Sequence, residues 1–252
     1  MKPAPSRAAS DSASPLALRV IHGIIFGGLT AICVVAGLAE FEHLWRTQVQ
    51  PFHAGPPPRP ALLLAVLTSV LGMGVILVQS LRGRSARLLW SLFVLAGLVF
   101  TLWDSHEGPV PGRSTPSANL KILQVARALH GRMVEALQTR GALPEDAESW
   151  QQALQEVAQG QPTPVRTRSF APLPFHIQKV DSLEALPPEA PPGTVFLALA
   201  EGGVAYEFQA VGLSPEGGPW RLQAPNGEPV VFRGAYNPDL APASGEGASE
   251  PP

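Results

Sequence analysis

Residues 61–103 read ALLLAVLTSVLGMGVILVQSL, RGRSAR, LLWSLFVLAGLVFTLW: two apolar runs joined by six residues that hold three arginines. A helix crossing the ~30 Å hydrocarbon layer needs about 20 mostly apolar residues. Ala61–Leu81 meets that length without a charge, and Leu88–Trp103 approaches it once Ser85 and Ala86 are added. Toward the N-terminus, Leu16–Ala39 is a third run, and its only ionisable groups, Arg19 and His22, lie near its start. Three helices apolar on every side need either lipid or a large surrounding protein to cover them. The rest of this chain is too small for the second. The expected fold class is therefore membrane α-helical, with three transmembrane helices at about 16–39, 61–81 and 86–103, plus a C-terminal extracytoplasmic α+β domain.

Arginine placement orients the anchor, because cytoplasmic flanks are enriched in Lys and Arg close to a span. Lys2, Arg7 and Arg19 precede or open the first run, and Arg82, Arg84 and Arg87 fill the second turn. In a three-span chain these two segments share a side. The connection Glu40–Pro60 sets Glu40 and Glu42 against Arg46 and Arg59, and Asp104 and Glu107 follow the third run with only Arg113 nearby. The expectation is a plasma (inner) membrane, multi-pass protein with its N-terminus cytoplasmic and its C-terminal half outside. Trp45, Trp90 and Trp103 fall where aromatic belts form. A signal-peptide apolar core is 7–15 residues, so the longer first run reads as a retained span. Its Gly23 and Gly27 form a GxxxG, which lets helix backbones approach in lipid. No Asp, Glu, Lys or Arg lies near mid-membrane in any run, which argues against an ion or proton pathway.

The charge balance, 18 basic against 20 acidic side chains, leaves no nucleic-acid footprint. A lone cysteine, Cys33, lies within the first run, so neither an internal disulfide nor a cysteine-based metal site is expected. Residues 1–15 and 237–252 are rich in Ala, Ser, Pro, Gly and Glu and read as disordered tails. Residues 105–116, containing GPVPGRSTP, read as a Pro/Gly tether, and no internal repeat is present.

Residues 117–236 remain as the extracytoplasmic domain. Ser117 is a candidate N-cap, and Ile122, Val125, Ala126, Leu129, Met133, Ala136 and Leu137 recur at helical spacing. Arg140-Gly141 reads as the helix end. A second helix follows Pro144 with Trp150, Leu154 and Val157 on one face, and Gly160 stops it. The period then shifts to two, through Phe175 and Ile177, Thr194–Ala200, and Val204, Tyr206, Phe208 and Ala210. Trp220 and Leu222 lead to Asn226-Gly227, a strong hairpin signal. The reading is two helices followed by an antiparallel sheet of four or five strands, with a core including Leu129, Met133, Trp150, Phe196, Tyr206, Phe208, Trp220 and Phe232. Prolines 187, 188, 191 and 192 mark a loop flanking that sheet. In its order of elements the domain resembles the soluble part of pilin-like proteins. The first span, however, lacks the cleavage glycine followed by Phe and a nearby Glu, and no family is assigned.

No GxSxG, HExxH, Walker loop, GxGxxG or CxxC is present. No catalytic, cofactor-binding or metal residues are assigned, no cofactor is expected, and the protein is read as not an enzyme. Three groups are candidates for other roles. Glu40, Glu42, His43, His53, Asp104, His106 and Glu107 crowd the outer ends of the first and third spans, and imidazole with carboxylate suits a divalent ion. His130 and His176 are the domain's histidines. Arg166, Arg168, Lys179, Arg221 and Arg233 would suit an anionic partner if they converged. The leading expectation is a non-enzymatic plasma-membrane protein whose interaction domain contacts an envelope protein. The alternatives are a metal-binding or enzymatic membrane protein using the outer His/carboxylate cluster, and a ligand-sensing regulatory subunit.

Overall fold

The computed structural model describes residues 15–84, 87–105, 112–187, 189–224 and 226–240. Most of each expected tail falls outside these residues, as do Ser85, Ala86 and residues 106–111 of the expected tether; the tether is shorter than expected, since Ser105, Thr115 and Pro116 are helical. Five helices and a C-terminal mixed sheet are present. The chain divides into two units: Met1–Leu44 with Pro58–Pro109, and Trp45–Pro57 with Val110–Pro252.

The first unit is built from three apolar helices. Helix α1 spans Pro15–Val49, α2 spans Pro60–Leu81 and α3 spans Leu88–Ser105. Two of them, Leu16–Val49 and Pro60–Leu81, are long and apolar enough to cross a membrane, and Leu88–Asp104 is a shorter apolar helix. Helix α1 runs well past Ala39, where the sequence reading ended it, because nothing between Glu40 and Val49 breaks a helix. Pro60 at the first turn starts α2, and its fixed φ suits that position. Helices α2 and α3 pack through small residues. Added to Gly97, a Cβ would lie 2.6 Å from the Ala65 carbonyl oxygen, a close approach that only glycine permits. Outward-facing apolar side chains cover all three helices, among them Val35, Leu64 and Leu88, at 72%, 62% and 76% exposed.

In the second unit, α4 spans Thr115–Arg140 and α5 spans Ala147–Ala158. The N-cap of α4 is Ser114, not Ser117: the Ser114 side chain accepts from the Ser117 backbone N–H, and Pro116 sits in the first turn. Gly141 closes the helix in the left-handed conformation, its N–H bonded to the Leu137 carbonyl. Asp146 caps α5 by accepting from the Ser149 N–H.

The strands are β1 Phe52–Ala54, β2 Val165–Thr167, β3 His176–Lys179, β4 Thr194–Leu199, β5 Ala205–Leu213, β6 Pro219–Arg221 and β7 Val231–Ala235. The main sheet is not wholly antiparallel. Strands β3 and β4 pair in parallel, His176 opposite Thr194, because a long crossover rather than a tight turn joins them. Strand β5 pairs antiparallel with β4, β6 and β7. Both β6 and β7 lie on one edge of β5, against its C-terminal and N-terminal halves respectively. The Asn226-Gly227 turn therefore does not join two paired strands. It tips a short excursion, closed by the Gln223–Pro229 bridge, between two segments of one broken edge strand.

Tyr206, Phe208 and Ala210 face α4 and α5 in the main core, with Leu129, Leu137, Trp150 and Leu154. The crossover covers the opposite face, where Leu186 and Ala190 pack on Phe196 and Val211. Phe196 thus belongs to this second cluster, Phe232 is only half-buried, and Trp220 is 45% exposed on β6. The core assignment of Trp220 fails because the edge strand turns its ring outward.

The second unit also takes in residues that the sequence reading left in a connection. Strand β1 pairs antiparallel with β2, Phe52 opposite Thr167 and Ala54 opposite Val165. Arg168 donates to the Val49 carbonyl at 2.8 Å and the Gln50 carbonyl at 3.1 Å, satisfying the last acceptors of α1. A cation suits a helix C-terminus, where carbonyls lack intrahelical donors.

Candidate functional site

The expected outer His/carboxylate cluster is the first candidate. Glu40 lies on α1, one turn before His43, and both are buried. Arg59 is the N-cap residue of α2. Its backbone N–H donates to Glu40 Oε2 at 2.9 Å and its Nε to Glu40 Oε1 at 3.1 Å. Its Nη1 reaches the Asp104 carbonyl oxygen at 3.0 Å and Asp104 Oδ2 at 3.1 Å. One guanidinium thus ties Glu40 within α1 to the start of α2 and the end of α3. Planar forked donors match carboxylates better than an ammonium would.

Among the described residues the cluster does not form a ligand set. Glu40 and Asp104 do come together, but around a cation the protein supplies itself. Glu42, two residues from Glu40 on the same helix, is exposed and does not share its face. His53 lies on β1, where its ring meets Phe170 edge-on at 5.4 Å. His106 and Glu107 lie outside the described residues. Among the described residues no three His, Cys, Asp or Glu side chains are grouped to hold a metal. Arg59 was the missed member. Its signal in the sequence is the Arg59-Pro60 pair at a helix start, which places a cation where the carboxylates gather.

The second candidate is His130, half-buried on α4. Its Nδ1 lies 2.9 Å from the Tyr206 hydroxyl. Around the pair are the rings of Phe208 and Phe232, with Trp150 edge-on to Tyr206. Burial pushes the His130 pKa down and the Tyr206 pKa well up. Both shifts favour neutral groups, the state a hydrogen-bonded pair inside an aromatic cluster requires. Tyr206 is buried, so the pair is structural. His176 is exposed on β3.

Four of the five candidate cations are committed locally. Arg166 donates to the Phe170 carbonyl, Arg168 to the end of α1, and Lys179 to the Glu145 carbonyl. Arg233 pairs with Glu207 across β7 and β5 at 2.9 Å. Arg221 is exposed beside Trp220 on β6. The broken edge strand is the more open surface. Among the described residues no strand pairs with the outer side of β6 or β7, and Val204, Trp220 and Tyr236 are exposed near it.

No protein-family model matches the chain, and neither a curated protein nor a solved structure matches it.

Proposed function

We propose that the chain is a non-enzymatic protein of the plasma (inner) membrane that crosses it three times. Its N-terminus lies in the cytoplasm and its α+β unit outside, where that unit serves as the interaction domain of a subunit or accessory of an envelope complex. The path of the chain carries this reading. Residues 45–57 fold with the sheet-bearing unit, the chain then runs through α2, the arginine turn and α3, and the rest of the unit follows. Arg113 donates to the Pro57 carbonyl at 2.8 Å, so the points of departure and return are adjacent. A hairpin that starts and ends at one place crosses an even number of times. If α2 spans the bilayer, α3 spans it back. The outward apolar side chains of α3 support its contact with lipid, since such a surface is unfavourable in water. The arginine turn at the far end supports a cytoplasmic position for that end.

An unpaired edge strand with an aromatic ring beside it suits a protein partner, because a sheet edge offers free backbone donors and acceptors. A photo-crosslinking residue in place of Trp220, in intact cells, is expected to give a discrete adduct with an envelope protein, while one at Ser182 gives none. Adducts absent at Trp220, or equal at both sites, would contradict an interaction role for this edge.

A further inference from the structure

We infer that the basic end of the helical unit holds an anionic phospholipid, with an acyl chain in the groove between α1 and α2 and the phosphate on Arg19; this rests on the membrane reading proposed above. A groove of about 350 Å³ separates the start of α1 from the end of α2. Its walls include Val20 and Gly23 on α1 and Leu77 and Leu81 on α2, with Arg19 and Ser80 also lining it. The two glycines of the GxxxG differ in use. A Cβ added to Gly27 would meet the Met73 methyl at 3.5 Å, whereas one added to Gly23 would meet nothing within 4 Å. Gly27 therefore packs on α2, and Gly23 leaves open space.

Charge decides what fills that space. The Arg19 guanidinium lies 3.7 Å from the position of a Cβ on Gly83, so it reaches the turn that also carries Arg82, Arg84 and Arg87. Among the described residues no carboxylate pairs with Arg19. An apolar groove bordered by Arg19, which pairs with no carboxylate among the described residues, matches a lipid with an apolar chain and an anionic head. A second copy of α1 docked in parallel on Gly23 fits poorly. Arg19 is four residues before Gly23 on the same face, so the pair would set one Arg19 against the other.

The test uses the full-length protein in nanodiscs of equimolar phosphatidylglycerol and phosphatidylcholine, extracted gently and weighed by native mass spectrometry. About one phosphatidylglycerol per chain is expected to remain, preferred about five-fold for the one arginine in the groove. Arg19→Gln should bring the two lipids to parity. Gly23→Leu, which fills the groove floor, should abolish retention of both, and Arg221→Gln in the other unit should change nothing. Equal retention by the unaltered protein, no effect of Arg19→Gln, or protein dimers lost in Gly23→Leu would each overturn the lipid site. Carbonate extraction of membranes separates the two claims. A chain released by carbonate ends the membrane reading and the lipid site together; an inserted chain without lipid preference ends the lipid site alone.

Discussion

Phe208 anchors the core of the sheet-bearing unit. It is fully buried at the centre of β5, stacked on Tyr206 and Phe232 at 5.9 and 5.0 Å between ring centroids. Truncating such a ring costs ~3–5 kcal/mol through lost burial and the cavity left behind. That is a large part of a small domain's stability. Phe208→Ala should lower the melting temperature of this unit by more than ten degrees, or abolish its cooperative transition, in a thermal melt of the protein in detergent. His130 gives a pH signature. Its folded pKa is depressed by burial, so near and below the ordinary value of about 6.5 the unfolded chain binds more protons. The stability contributed by neutral His130 is complete above that value and is lost as pH falls toward the folded pKa. Melting temperature should therefore drop between pH 7 and pH 5, and His130→Gln should flatten that part of the profile. An equal drop in the variant would place the sensitivity elsewhere.

At the scale of elements, local signals were legible and non-local ones were not. The length of their apolar runs located α2 and α3, and periodicity located α4 and α5, because a helix packed on one face buries residues three and four apart. Gly141 marked the end of α4 because only a residue tolerant of positive φ fits there. Three features could not be read. Strand β1 is three residues long, and its partner β2 lies more than a hundred residues away, so Phe52-His53-Ala54 looks like loop until Val165–Thr167 is beside it. The parallel pairing of β3 and β4 depends on where the crossover packs, which Leu186 and Ala190 decide through Phe196 and Val211. The outer cluster was half legible. Its carboxylates were singled out, but the cation that neutralises them sits between them only once α1, α2 and α3 are aligned. The role of β1 can be tested by removing the helical hairpin. A fragment joining residues 45–57 to 112–240 through a short Gly-Ser linker should melt cooperatively and well above residues 112–240 alone. The latter lacks the strand that covers β2 and leaves Arg168 without the carbonyls of Val49 and Gln50. Equal melting temperatures would show that β1 contributes little.

For the whole molecule, the central claim is that one chain enters the sheet-bearing unit, leaves it for a membrane hairpin and returns on the same side. The direct measurement is site-specific labelling in intact cells with Cys33→Ser as background. A membrane-impermeant maleimide is offered to three variants: Gln48→Cys before β1, Arg84→Cys in the turn between α2 and α3, and Ser182→Cys in the crossover. Gln48→Cys and Ser182→Cys should label from outside, and Arg84→Cys only after the membrane is permeabilised. Labelling of Gln48→Cys and Ser182→Cys from opposite sides, or of Arg84→Cys from outside together with them, would contradict the account.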